Sequence, residues 1–305
     1  MNRLNLNPQL SQIASNIDQH LLGKSQTVRL ALSCLLAGGH LLLEDVPGVG
    51  KTSLAKSLAG QFGLSFQRIQ FTSDMLPADI LGVSVFEAAE HAFRFHPGPI
   101  FNQLLLADEL NRASPRAQSA LLEAMEERQV SIDGQSYPLE QPFFVIATQN
   151  PSEQLGTFEL PESQLDRFAM RLAIGFPDPK SELQMLKGIS TSDVPSTSLS
   201  AAALRALQSE VGQVHASDSL LNYILRLVHL SRHTENARGL SPRASKILLS
   251  CAQAWAFIHG SDHLLPEHVQ AVFVAVSSHR LASGDNGAQM AQLLLEQVDP
   301  YRELS

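Results

Sequence analysis

The densest chemistry in the chain lies in one stretch, Leu41-Leu42-Leu43-Glu44-Asp45-Val46-Pro47-Gly48-Val49-Gly50-Lys51-Thr52-Ser53. An apolar strand runs into glycines, and a lysine with two hydroxyls opens the next segment. Glycines let backbone N–H groups approach phosphate oxygens, and a helix starting at the lysine turns its positive dipole end toward the anion. Lys51 is placed to reach β/γ-phosphates and the Thr52 hydroxyl to ligate Mg²⁺. The general phosphate-loop pattern has a glycine where this chain has Asp45, so Pro47-Gly48 is expected to supply the turn. A glycine turn before an ordinary helix would not bring strand, loop, lysine and hydroxyl together. The stretch reads as a nucleoside triphosphate site.

A second set complements it. Leu104-Leu105-Leu106-Ala107-Asp108-Glu109 is an apolar strand ending in two acids, some 55 residues after the loop. Strand ends meet the phosphate site in open parallel sheets, so Asp108 could hold Mg²⁺ and Glu109 polarise the attacking water. The strand Phe143-Phe144-Val145-Ile146-Ala147 ends in Thr148-Gln149-Asn150. Asn150 could orient the hydrolytic water or sense the γ-phosphate; equally, Asn150-Pro151 could only initiate a turn. In Leu165-Asp166-Arg167-Phe168, Arg167 offers a forked donor for charge on a transferred phosphoryl group. A surface arginine paired with Asp166 is the other reading.

These residues need a sheet to hold them. Apolar strands are expected at residues 41–44, 66–71, 103–108, 143–147 and 170–174, separated by helices such as 52–62. That pattern implies a parallel sheet covered on both faces, the α/β class. From about residue 177 a Pro-Asp-Pro breaker and a Ser/Thr/Pro-rich linker at 190–200 change the text. Beyond them only helical periodicity is read, at 199–211, 219–233, 242–259 and 266–281, so the second domain is all helical. The boundary is set near residue 180, giving domains 1–180 and 181–305. Residues 71–101 are about thirty residues between the second and third strands, and residues 130–137 alternate around Asp133-Gly134 as a hairpin.

Composition narrows the classes. The 305 residues are 44% hydrophobic and 17% charged, as in a globular protein, and no apolar run approaches the ~20 residues of a membrane span. A net charge of −8 argues against broad nucleic-acid or anionic-membrane binding. Residues 1–10 lack an export leader, and Cys34 and Cys251 sit in apolar helical stretches, so buried thiols in a cytoplasmic setting are expected. Paired histidines (His229/His233 and His259/His263) lack further ligands at zinc spacing, and no Gly-x-Ser-x-Gly elbow is present.

Together with Gly239-Leu240-Ser241-Pro242-Arg243-Ala244 and the run Asp108-Glu109-Leu110-Asn111-Arg112-Ala113-Ser114-Pro115-Arg116-Ala117-Gln118, these motifs closely resemble the MoxR family of AAA+ ATPases over nearly the whole chain. The resemblance implies a P-loop NTPase core (αβα, five-stranded parallel sheet) with a C-terminal helical lid, ATP and Mg²⁺ as cofactors, and self-assembly into a ring, hexameric by analogy. It makes residues 47–53 Walker A, Asp108 and Glu109 Walker B, Asn150 sensor 1, Arg167 a finger acting on a neighbouring subunit, and Arg243 the lid residue meeting the γ-phosphate. The sequence around Gly23 (Leu22-Gly23-Lys24) would wrap adenine, and the insertion at about 72–100 would be a β-α-β unit facing pore or partners with the hairpin at about 129–138. Partners in this family often carry a von Willebrand factor A domain, and the work is chaperone-like remodelling or maturation. A magnesium-chelatase-like motor and a nucleotide-gated scaffold remain alternatives.

Overall fold

The computed structural model describes residues 8–150, 156–187, 199–282 and 284–301; Pro151 and residues 190–198 of the expected linker lie outside them. Two helices, α1 (Pro8–Asp18) and α2 (Ser25–Leu36), precede strand β1 (Leu41–Glu44) and helix α3 (Lys51–Gln61). Next come β2 (Phe66–Gln70), the short α4 (Pro77–Leu81), the hairpin β3 (Gly82–Glu87) and β4 (Ala92–Pro97), and β5 (Leu104–Asp108). Helix α5 (Pro115–Glu127) leads to the hairpin β6 (Gln129–Ile132) and β7 (Gln135–Pro138), then β8 (Phe144–Gln149), α6 (Glu162–Leu165) and β9 (Met170–Leu172). The rest is helical: α7 (Pro179–Leu186), α8 (Ala201–Val211), α9 (Asp218–His233), α10 (Pro242–Ile258), α11 (Pro266–Leu281) and α12 (Asp285–Gln297).

The main sheet has five strands in the order β2-β5-β8-β1-β9, every neighbouring pair parallel. All C-terminal strand ends therefore share one edge, where the loop after β1 and the acids ending β5 meet. Alternation along the buried strands divides the core. Leu41 and Leu43 face a cluster with α1–α3 and the lid helices, while Leu42 faces one built on α5. The first cluster is continuous from Leu10 to Val298, so the helical lid shares a core with one face of the sheet. Cys34 and Cys251 are both fully buried in it.

The hairpin at Asp133-Gly134 forms as expected, both residues having positive φ (50° and 77°). The insertion differs from the β-α-β expectation. It is a one-turn helix followed by an antiparallel hairpin, β3 with β4, and the helix precedes the strands. Only Ala88–His91 separates the strands, too few residues for a helix plus its connections. Gly82 (φ 101°) makes the helix-to-strand corner, where an added Cβ would strike the His96 carbonyl and lie 2.6 Å from the Gly98 nitrogen. The two hairpins touch through Phe95 stacked on Tyr137, ring centroids 4.1 Å apart.

Candidate active site

The loop after β1 is shaped by two glycines in the left-handed region, Gly48 (φ 84°) and Gly50 (φ 103°). A Cβ at Gly48 would meet nothing within 4 Å, so its demand is conformational rather than spatial. Helix α3 starts at Lys51 behind Gly50, which offers no side-chain cap, leaving the first-turn amides facing the loop.

Asp45 is buried and fastens the loop from beneath. Its Oδ1 accepts from the Val46 amide at 2.8 Å, and its Oδ2 from the Ile174 and Gly175 amides at 2.7 and 2.6 Å. The carboxylate thus ties the loop to the chain leaving β9, which explains why an aspartate can stand where the general pattern has glycine. Lys51 Nζ donates to the Asp45 carbonyl and, at 3.4 Å, to the Gln149 carbonyl. Burial lowers the lysine pKa, opposed by Asp45, Asp108 and Glu109.

A cleft of about 340 Å³ opens over the loop, lined by Pro47, Gly48, Gly50, Lys51, Thr52, Arg68, Gln70, Asp108, Glu109, Thr148 and Asn150. Most of the expected set is therefore gathered there. Val49 packs against the core and Ser53 points to solvent, so neither lines it. Gly23 lies to one side, its φ of 75° and tight fit against Asp178 and Ser181 placing the Leu22-Gly23-Lys24 turn between Gly50 and α7. Lys24 Nζ donates to the Phe176 carbonyl at 2.6 Å. A larger hollow of about 620 Å³ between α2, β9, α11 and α12 holds the Glu44–Arg171 ion pair but neither the lysine nor the paired acids.

Within the cleft the acids are already engaged. Thr148 Oγ1 donates to Asp108 Oδ1 at 2.5 Å and accepts from the Glu109 amide at 2.9 Å, locking the strand end. Arg68 donates to Asp108 Oδ2 from Nη2 at 2.6 Å and Nε at 3.1 Å. Glu109 Oε2 accepts from Gln70 Nε2 at 2.7 Å and forms an ion pair with Arg112 at 2.8 Å. Glu109 itself sits in the left-handed region (φ 57°, ψ 47°), a conformation costing a non-glycine residue ~1 kcal/mol or more. Arg68, Gln70 and Thr148 were not assigned from sequence. The readable signal was polar residues two apart on β2, whose register sets Gln70 beside Asp108. The oxygen donors Thr52 and Asp108 suit a hard divalent cation such as Mg²⁺.

The two arginines lie elsewhere. Arg167 precedes β9 and so stands at the N-terminal edge of the parallel sheet. It pairs with Glu126 Oε2 at 3.1 Å rather than with Asp166. Arg243 pairs with Glu126 Oε1 at 3.0 Å. Glu126 lies in the last turn of α5, ~16 Å along the helix from its cleft-side start at Pro115. One carboxylate therefore gathers Arg243 and Arg167 on the edge opposite the cleft. No helix among the described residues is long and apolar enough to cross a membrane.

Residues 40–170 match the family model described as ATPase family associated with various cellular activities (AAA), and residues 230–298 match the AAA lid domain. The uncharacterised protein YeaC of Bacillus subtilis is 44% identical over 281 residues, 90% of this chain and 88% of that protein. The chaperone MoxR1 of Mycobacterium tuberculosis is 38% identical over 283 residues, 89% of this chain and 75% of its own length. The crystal structure of a protein assigned as an ATPase, from Cytophaga hutchinsonii, superposes with a TM-score of 0.86 at 34% identity, covering 97% of this chain and 96% of that one. Likeness of this extent runs through sheet and lid alike, well beyond the phosphate loop, and the chain belongs to the MoxR-type branch of the AAA ATPases.

Proposed function

We propose that this chain hydrolyses ATP to ADP and phosphate, in a nucleotide domain of residues 1–180 with a lid of residues 181–305. The observation that carries the reading is the gathering of Lys51, Thr52, Asp108, Glu109 and Asn150 in one cleft beneath the α3 amides. Lys51 exchanges its carbonyl partners for the β/γ-phosphates. Thr52 and Asp108 would hold Mg²⁺, which when bound would neutralise developing charge on the phosphates. Glu109 orients a water and takes its proton as the new O–P bond forms and the bond to the β-phosphate oxygen breaks. Asn150 steadies that water, and the Gly23 turn flanks the base.

Arg167 and Arg243 are proposed to act together in trans. Both lie at the sheet edge away from their own cleft, farther than an arginine side chain extends, and a neighbour's cleft is the polyphosphate they could serve. Assembly is then part of catalysis, and the reading favours a ring. Chaperone-like remodelling of a client is the work such a ring performs, with a von Willebrand factor A domain protein as proposed partner. The buried thiols Cys34 and Cys251 favour a cytoplasmic setting.

Three measurements test this. Lys51→Ala should lose most fluorescent-nucleotide binding, and unchanged affinity would mean the loop is misread. Glu109→Gln should bind ATP without turning it over. A Lys51→Ala subunit, retaining Arg167, should restore turnover when mixed with an Arg167→Ala subunit retaining Lys51. Mixed oligomers that form yet stay inactive would rule out the trans arrangement.

A further inference from the structure

The segment carrying Arg167 is held from the lid chiefly by one buried side chain, Arg280. Arg280 closes the last turn of α11, and its side chain is 3% exposed. Its Nε donates to Asp166 Oδ1 at 2.7 Å, and its Nη2 to the main-chain carbonyls of Asp166 (3.1 Å) and Phe168 (2.6 Å). Its Nη1 reaches the carbonyls of Ala169 (3.3 Å) and Val276. One planar guanidinium thus grips the carbonyl on each side of Arg167 and the next one along. The grip is reinforced from the same domain. Ser241 Oγ donates to Asp166 Oδ2 at 3.1 Å, and the His279 ring nitrogen Nε2 donates to the Phe168 carbonyl at 3.1 Å.

This arrangement does more than close a helix end. Fixing the Asp166 carbonyl fixes the peptide plane that enters Arg167, the Phe168 amide on the Leu165 carbonyl (3.1 Å) pins the plane that leaves it, and the grip on the Phe168 carbonyl holds the plane after that, so the direction in which the Arg167 side chain leaves the backbone is set. Arg280 and Ser241 belong to the same helical layer as Arg243, so the two arginines gathered at Glu126 are referenced to one body. A guanidinium can do this because its five N–H groups lie in one plane with fixed directions; an ammonium carries the same charge but cannot span four oxygens.

We propose that Arg280 is a positioning residue for Arg167, coupling the finger to the lid so that the two move together. The inference rests on the trans-finger reading. It predicts an asymmetry that general damage to the lid would not produce: a subunit with a loosened Arg280 should be a poor donor of the finger and a sound acceptor of a neighbour's.

The test uses full-length subunits in the mixing assay. In the donor arm, a Lys51→Ala/Arg280→Lys subunit is mixed with an Arg167→Ala subunit and compared with a Lys51→Ala donor. In the acceptor arm, an Arg280→Lys subunit is mixed with excess Lys51→Ala subunit, which supplies an intact finger. Misplacing a catalytic group by about 1 Å can cost on the order of a hundredfold, so the donor arm should lose at least tenfold in kcat. KM for ATP should hold, and the acceptor arm should stay within about twofold. Equal losses in both arms, or no donor-arm loss, would overturn the positioning role. If the Lys51→Ala donor itself restores nothing in oligomers shown to form, the trans reading fails and this inference falls with it. Should Arg280→Lys not fold, Asp166→Asn runs the same two arms, removing the charge shared by Arg280 Nε and Ser241 Oγ while leaving the main-chain carbonyls in Arg280's grip; its donor loss should be about threefold, and equal arms there overturn the role likewise.

Discussion

Replacing Asp45 should reveal whether the carboxylate or the loop glycines hold the phosphate loop in place. Asp45 is 8% exposed and accepts three backbone N–H groups, from Val46, Ile174 and Gly175. A hydrogen bond to a charged acceptor contributes ~1.5–3 kcal/mol, so three independent bonds would total ~5–9 kcal/mol. They share one carboxylate, and water can reach the half-buried Val46 and Gly175 amides, so Asp45→Ala should cost ~3–5 kcal/mol. That is a large share of the ~5–15 kcal/mol typical of a folded domain. Asp45→Asn keeps the shape but turns one acceptor into a donor. Its better orientation keeps oxygen toward Ile174 and Gly175 and sacrifices Val46, a loss of ~1–2 kcal/mol. Asp45→Gly, although it restores the general loop pattern, should be no milder than alanine, because it also frees the unfolded chain. Urea unfolding of the four proteins supplies the ranking. An alanine variant within ~1 kcal/mol of the native chain, or a glycine variant more stable than it, would refute the idea that this carboxylate ties the loop to β9.

Glu126 must release Arg167 and Arg243 before either can meet phosphate, and both pairs are partly exposed. Such pairs are worth ~0.2–1 kcal/mol each, so Glu126→Gln should lower the protein concentration at half-maximal ATPase activity a few-fold, less so at high salt; a higher concentration would mean that Glu126 aligns the arginines instead. His40 is buried at the head of β1, its Nδ1 accepting from Val145 and its Nε2 donating to Met125. Desolvation pulls its pKa from 6.5 to about 4, so the unfolded chain takes up its proton first as pH falls. The stability from the neutral ring is complete above pH 6.5 and is lost as pH falls toward 4, ~3 kcal/mol in all. His40→Gln cannot titrate and should show a loss smaller by that amount in pH-dependent urea midpoints; parallel curves would refute it.

The parts of the fold that could be read in the sequence were those whose signal is local. All five sheet strands lie where strands are expected, the central ones as apolar runs, and the Asp133-Gly134 hairpin follows from two residues that tolerate positive φ. The helix α12 was not read, because Gly284-Asp285-Asn286-Gly287 looks like a turn. Gly287 is instead a packing glycine inside the helix, where a Cβ would collide with the Ser278 carbonyl of α11. Likewise the phosphate loop, the acids of β5 and Asn150 follow from type and order along the chain. The roles of Arg68, Gln70 and Glu126 depend on pairings across 39 or more residues, and neither β2 register nor the end of α5 leaves a mark in sequence. Arg243 shows the difference: its motif was legible, but its surroundings depend on where the lid docks.

The separation of Lys51 from the Arg167–Arg243 pair bears on symmetry. A twofold dimer brings identical patches together, so it could complete a site only if loop and arginines shared one face. They stand at opposite edges of a parallel sheet, and the proposed contact must run head to tail. In an open row of subunits one terminal cleft always goes unserved, so a pair can have at most one working site of two. Only rotational closure serves every cleft, and turnover per subunit should then jump as the last member joins rather than rise smoothly with length.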